Sequence, residues 1–259
     1  MLDYNCIENG RLILMSEKLR LSYTKMDFYL TCPKRYYYRY VEKRPFYPSY
    51  MTKFGGNLHR ALKNVSEIIK SKGTIENEIQ KELFEKQWSD ISKDKAINQK
   101  LKDKGESQLK LFSETNLAAI QNTLFIEKSF SCKLDNITLC GYIDRVDIIK
   151  DKYVDIIDYK TGNLRSLHPD NLQLNFYALI CRDFFDLIPA KLSLYFLKIN
   201  EKLSVEAETQ CIDMTKNLIL NISEKIINKY FIPTEQPLEN CPECCYNKIC
   251  PDFAKLVNP

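Results

Sequence analysis

The chain has 259 residues, 44% of them hydrophobic and 28% charged, enough to bury a substantial core as one large domain or two small ones. No apolar run approaches the roughly 18 residues of a membrane span, and the acidic, polar N-terminus does not read as a secretory signal, so a soluble cytoplasmic protein without a membrane partner is expected. The net charge of +4 hints only weakly at a polyanionic partner, whereas ten cysteines in a reducing compartment point to a metal site ahead of a disulfide framework.

In chain order, "LSYTKMDFYLTCPKRYYYRYV" reads as a helix capped by Ser22, broken at Cys32-Pro33 and restarted with Pro33 in its first turn. A Gly55-Gly56 pair then leads into a helix over "NLHRALKNVSEIIKSKG", with Leu58, Leu62, Val65 and Ile69 at helical spacing. Residues 74–125 read as two or three amphipathic helices, and 60–125 as a helical insertion. Strand character begins near Phe125 and dominates 137–149 and 152–160. A helix over "NLQLNFYALICRDFF", a buried strand over "AKLSLYFLKI", a further strand over "VEAETQCI" and a helix over 213–230 complete the regular structure. The Pro- and Cys-rich tail at 238–253 has the density of a metal knuckle.

The stretch "GYIDRVDIIKDKYVDIIDYKTG", residues 141–162, carries the densest chemistry. A hairpin turning at Lys150-Asp151-Lys152 pairs residues whose numbers sum to 302. Asp144 then faces Asp158, with Lys160 on the same side of the ladder. Directly opposed carboxylates repel unless positive charge sits between them. Oxygen ligands suit Mg²⁺ or Mn²⁺, and a neighbouring lysine supplies a compact charge for a water or for a developing phosphorane oxygen. The pattern points to metal-assisted phosphodiester hydrolysis, against the plainer reading of a surface hairpin with an Asp158–Lys160 ion pair.

"GYIDRVD" and "IIDYKTG", with a histidine upstream in "GGNLH" and a Q-x-x-x-Y element in "QLNFY", resemble the PD-(D/E)XK nuclease superfamily in its RecB-like branch. The resemblance runs from Ser22 to Pro251 through five ordered motifs. It implies an α/β restriction-endonuclease-like fold, a central mixed sheet flanked by helices, in a single domain over 1–259. It implies Asp144, Asp158 and His59 as ligands of Mg²⁺ or Mn²⁺, the backbone carbonyl of Tyr159 completing the shell, and Lys160 as the catalytic lysine. Gln173 and Tyr177, four apart on one helix face, are suited to contacting DNA or to positioning Lys160.

Cys241, Cys244 and Cys250 are spaced C-x2-C-x5-C, with Cys32 far upstream. By residue type, tetrahedral zinc and a 4Fe-4S cluster both remain open. The pattern is similar to the iron-sulfur variety of RecB-like nucleases, such as the AddB nuclease domain and the CRISPR-associated spacer-acquisition nucleases. That similarity implies a 4Fe-4S cluster on Cys32, Cys241, Cys244 and Cys250, with Cys245 as the substitute for Cys244.

Within "CPKRYYYRYVEKR", cations alternate with tyrosines as a single-strand channel requires, with Arg35 and Arg39 as phosphate contacts. The chain has no G-x-x-x-x-G-K-[ST], so unwinding would need a helicase partner. The expected activity is a metal-dependent deoxyribonuclease, exonucleolytic on single-stranded DNA ends, acting in CRISPR adaptation beside its partner proteins or in recombination and repair. A non-catalytic DNA-end-binding scaffold on the same fold is the alternative.

Overall fold

The computed structural model describes residues 6–8, 11–13, 19–163, 166–232, 241–242 and 244–257. Of the tail expected as a knuckle, 238–240 and 243 lie outside the described residues. Two short strands, β1 (Cys6–Glu8) and β2 (Arg11–Ile13), pair antiparallel with each other. After β3 (Arg20–Leu21), Ser22 caps α1 (Tyr23–Thr31), its Oγ accepting from the Lys25 amide at 3.3 Å. The residue before a proline is driven out of the helical region, and Cys32 is indeed extended (φ −168°), so the chain restarts at Pro33 in α2 (Pro33–Tyr36). A π-helical turn over Tyr37–Val41 follows.

The next helix, α3 (Tyr50–Lys72), begins before the glycine pair that was expected to lead into it. Ser49 supplies the cap, accepting from the Thr52 amide at 3.1 Å, and Gly73 ends the helix in the left-handed region at φ 81°. A Cβ on Gly55 would sit in ordinary van der Waals contact, 3.4 Å from Thr161 Oγ1. The helix thus lies close against the strand end that carries Lys160. Helices α4 (Asn77–Gln87), α5 (Lys95–Thr115) and α6 (Leu117–Gln121) complete this helical region.

Strands β4 (Thr123–Leu134), β5 (Ile137–Lys150) and β6 (Tyr153–Lys160) form a meander. Then come α7 (Leu172–Phe185), β7 (Ile188–Phe196), β8 (Glu201–Glu206), α8 (Thr209–Ile227), a 3₁₀ turn over Asn247–Ile249 and α9 (Pro251–Val257). The expected strand over "VEAETQCI" is divided: β8 ends at Glu206 and α8 starts at Thr209. Ile212, Ile219, Ile222 and Ile226 make a buried helical stripe there, and that longer periodicity prevails over a short β-prone run. Among the described residues no helix is long and apolar enough to cross a membrane.

Strands β3 to β8 form one mixed sheet. The β5–β6 register follows the anticipated sum, with Arg145 opposite Ile157, Val146 opposite Ile156 and Asp147 opposite Asp155, before a bulge shifts it at Lys150. Strand β6 is parallel to β7, a pairing that requires a crossover, here α7. Strand β4 covers one edge of β5 along its length, so β3 (at Thr138 and Leu139) and β6 (from Arg145) share the other edge. Alternation along β6 feeds two cores. Val154 and Ile156 pack with α1, α7 and α8 residues such as Met26, Phe176 and Ile219, while Ile157 and Tyr159 pack with Leu58, Leu62 and Phe112 of α3 and α5. The strand ends between these layers hold the polar residues.

Candidate active site

Four elements converge at that edge: α3 brings His59, β4 brings Glu127, β5 brings Asp144, and β6 brings Asp158 and Lys160. The apolar stripe of α3 docks on the sheet and sets His59 beside the strand ends. His59 Nδ1 lies 3.5 Å from both Glu127 Oε1 and Asp144 Oδ2, and Nε2 lies 3.2 Å from the Tyr159 carbonyl oxygen. Burial opposes an imidazolium here, but the Asp144 and Glu127 carboxylates outweigh it and hold His59 well above the usual histidine range.

Ligand atoms of His59, Glu127 and Asp144 all lie within 4.8 Å of one another. Glu127 Oε1 is buried with no hydrogen bond of good geometry, and the His59 ring 3.5 Å away is its charged neighbour. One imidazole nitrogen with two carboxylates is a donor set that fits Mg²⁺ or Mn²⁺.

The sequence reading missed Glu127. Leu134 pairs with Ile137 around a two-residue Asp135-Asn136 turn, and Ile126–Arg145 and Lys128–Ile143 bracket Glu127 opposite Asp144. That short turn was a readable signal, since it sets the whole hairpin register. What was not readable is the left-handed backbone of Glu127 (φ 47°), which costs about 1–2 kcal/mol for a non-glycine residue.

Asp158 stands beside this trio rather than in it. Its Oδ1 accepts from Gln173 Nε2 at 2.6 Å, and its Oδ2 lies 2.5 Å from Lys160 Nζ, off the hydrogen-bonding direction and without any hydrogen-bond donor. Burial, then the Asp144 charge, pushes the Asp158 carboxyl up to about 6 despite Lys160 and His59. Asp144 Oδ2 also accepts the Tyr159 amide at 2.9 Å, which ties β5 to β6.

Gln173 sits in the first turn of α7, where Asn171 caps the helix by accepting from the Leu174 amide. Its Oε1 accepts from Lys160 Nζ at 2.8 Å, and its Nε2 reaches Tyr177 Oη at 3.2 Å as well as Asp158. Both amide hydrogens are therefore engaged inside the site, where Gln173 links Lys160 to Asp158 and Tyr177. Tyr177 is buried, and burial followed by the Asp144 and Asp158 charges keeps its phenol protonated. In "GYIDRVD" the other two polar residues brace the sheet: Arg145 Nε and Nη2 bond Asp147 at 2.7 and 2.6 Å, and Thr123 completes that buried carboxylate's shell.

The basic-aromatic segment is partly buried. Tyr36 and Tyr38 are buried, and Tyr36 stacks on Phe231 at 6.1 Å. The Arg35 guanidinium lies 4.2 Å from the Phe28 ring centre with a buried Nε lacking any hydrogen-bond partner, and Arg39 lies 4.9 Å from that of Phe46. These rings build a core, and the two arginines expected on phosphates are stacked on it.

Cys32, Cys241, Cys244 and Cys250 line one cavity of about 340 Å³, with Arg35, Tyr38 and Phe253 among its walls, and Cys245 is exposed outside it. Burial, and to a lesser degree Cys244 and Cys241, raises the Cys32 thiol, against the neighbouring Arg35 and Lys34 amides. Four thiols around one cavity fit a metal or cluster as ligand set.

A mixed sheet whose strand ends present carboxylates and a lysine to a helix-borne histidine gathers acidic, basic and imidazole groups in one centre. The chain belongs to the PD-(D/E)XK nuclease superfamily, whose sequence pattern matches residues 20–251. It is 26% identical over 232 residues to a component of the ATP-dependent helicase/deoxyribonuclease of Carboxydothermus hydrogenoformans, a match covering 73% of this chain and 21% of that protein. It is 31% identical over 135 residues to the Gene 69 protein of Mycobacterium phage D29, covering 49% of this chain and 48% of that protein. The chain thus spans between a fifth and a half of the curated relatives it matches. A solved structure from Eubacterium rectale, provisionally named an exonuclease, shares the fold at a TM-score of 0.50 and 10% identity, over 92% of this chain and 88% of that one.

Proposed function

We propose that the chain is a divalent-metal-dependent deoxyribonuclease domain, exonucleolytic on single-stranded ends, with His59, Glu127 and Asp144 as the protein ligands of Mg²⁺ or Mn²⁺. The convergence of those three groups beside the Asp158–Lys160 pair carries the reading. A bound cation supplies Lewis-acid charge to the scissile phosphate and its attacking water. Lys160, held by Gln173 and Asp158, presents an ammonium where negative charge develops on the phosphoryl oxygens. Asp158 keeps that ammonium in place, and the Tyr159 amide fixes Asp144.

The same proposal places a 4Fe-4S cluster on Cys32, Cys241, Cys244 and Cys250, joining the first helices to the C-terminal segment. One remote cysteine with a C-terminal triplet favours it over zinc, whose ligands usually come as two close pairs. A helicase partner is supported by the name of the Carboxydothermus relative. CRISPR adaptation and recombination or repair both accommodate such a cytoplasmic enzyme.

The test is cleavage of end-labelled single-stranded DNA with Mg²⁺ or Mn²⁺ by anaerobically purified protein beside Lys160→Ala. A product ladder that disappears in the variant, while its absorbance and DNA binding persist, is the expected result. DNA bound but left intact by the wild type with either metal would make the chain a scaffold.

A further inference from the structure

The sheet has a gap beside the candidate centre. Strands β3 and β6 both adjoin the same edge of β5, β3 at Thr138 and Leu139 and β6 from Arg145 onward, and no described strand covers Cys140–Asp144 between them. A groove of about 550 Å³ lies over this gap, reaching from Arg20 and Tyr23 across β5 to Ser129 and Phe130 of β4. It opens on Asp144, runs past Gly141, and is lined by Tyr23, Tyr142 and Arg20. Of its described lining residues only Asp144 is acidic.

Two of these residues stand exposed in the groove. Tyr142 is 61% exposed although it is a large aromatic on a central strand, two residues from Asp144. Arg20, on β3, extends its guanidinium across β5 to Ser131, whose partner on β5 is Cys140, and that 3.5 Å hydrogen bond is solvent-exposed. At the rise of a β-strand, Cys140 and Asp144 are about 13 Å apart, the reach of about two nucleotides of extended chain.

We infer that this gap is the strand-entry subsite of the centre and takes one single strand of DNA along the open edge of β5. The scissile phosphate lies at Asp144, the base of the adjoining nucleotide stacks on Tyr142, and a phosphate about two nucleotides along the strand meets Arg20. An aromatic platform with a cation at nucleotide spacing is the chemistry of single-strand binding. The groove's volume is that of a small-molecule pocket, so it admits unstacked nucleotides and not a duplex. The subsite rests on the nuclease reading above. It also offers an aromatic ring more exposed than those of Tyr36 and Tyr38.

The experiment measures binding of a labelled single-stranded oligonucleotide by fluorescence anisotropy across a salt series with Mn²⁺, in full-length Lys160→Ala protein so that the strand stays intact. Adding Tyr142→Ala weakens binding about fivefold to a hundredfold, the range for loss of one base–aromatic stack, while Tyr142→Phe stays within about twofold. Adding Arg20→Ala reduces the slope of log affinity against log salt by about 0.7, one phosphate contact on a single strand. Binding of a blunt duplex changes with neither. Unchanged single-strand affinity in both variants, in a protein whose wild type still cleaves single strands, overturns the subsite and leaves the nuclease reading standing. An equal loss on duplex also overturns it. A parent that binds no single strand, with a wild type that cleaves none, removes the nuclease reading and the subsite together.

Discussion

Replacing Asp158 by Asn should stabilise the metal-free protein at neutral pH. The carboxyl is buried, lies near Asp144, and titrates at about 6 in the folded chain against an ordinary value of 3.8. A shift of about 2 units corresponds to about 3 kcal/mol of folding free energy spent on keeping Asp158 ionised. The sign follows from the raised value: folding carries no such cost below the unfolded pKa, and the cost is complete once pH has risen through about 6. Asparagine keeps the shape and the oxygen that accepts from Gln173, while its NH2 group faces Lys160, which is exposed enough to move into solvent. At pH 7.5 with a chelator, thermal unfolding should show Asp158→Asn several degrees more stable, at about 2–4 °C per kcal/mol for a chain of this size. Near pH 4 the two proteins should melt together. A variant less stable than wild type at pH 7.5, or a gain equally large at both pH values, would refute the burial-and-repulsion account of this carboxylate.

Glu127→Gln should weaken Mn²⁺ binding by at least about tenfold in isothermal titration calorimetry, because it removes a ligand charge while keeping the fold. Unaltered affinity would return the third ligand position to Asp158. Gln173→Leu should lower kcat about tenfold to a hundredfold with little change in KM, since it frees Lys160 Nζ from its 2.8 Å partner without touching substrate. A rise in KM alone would restore Gln173 as a DNA contact. If the proposed cluster is present, Cys244→Ser should abolish its visible absorbance and cost up to about 5 kcal/mol of stability, by analogy with closing so long a loop, whereas Cys245→Ser should keep both. Absorbance lost with Cys245 instead would exchange the two ligands.

Much of the centre was legible because it depends on local periodicity. The two-residue alternation of β5 and β6 and their short turn decide that Asp144 approaches Asp158 and that Lys160 follows on the same side. The cap at Ser22, the break at Cys32-Pro33 and the apolar stripe that carries His59 are likewise local chemistry. Three things were decided only by tertiary packing. The hairpin register sets Glu127 opposite Asp144, but only the left-handed backbone at Glu127 and the docking of α3 bring His59 to that pair. Burial tells Tyr36 and Tyr38 apart from channel-lining tyrosines, because a ring buries against a core or stacks on a base with the same residue type. The gap between β3 and β6 exists because two strands far apart in sequence stop short of each other on one edge of β5, and only the assembled sheet has such an edge. Side-chain periodicity is written residue by residue along the chain, whereas convergence of distant segments is set by the summed packing of both cores.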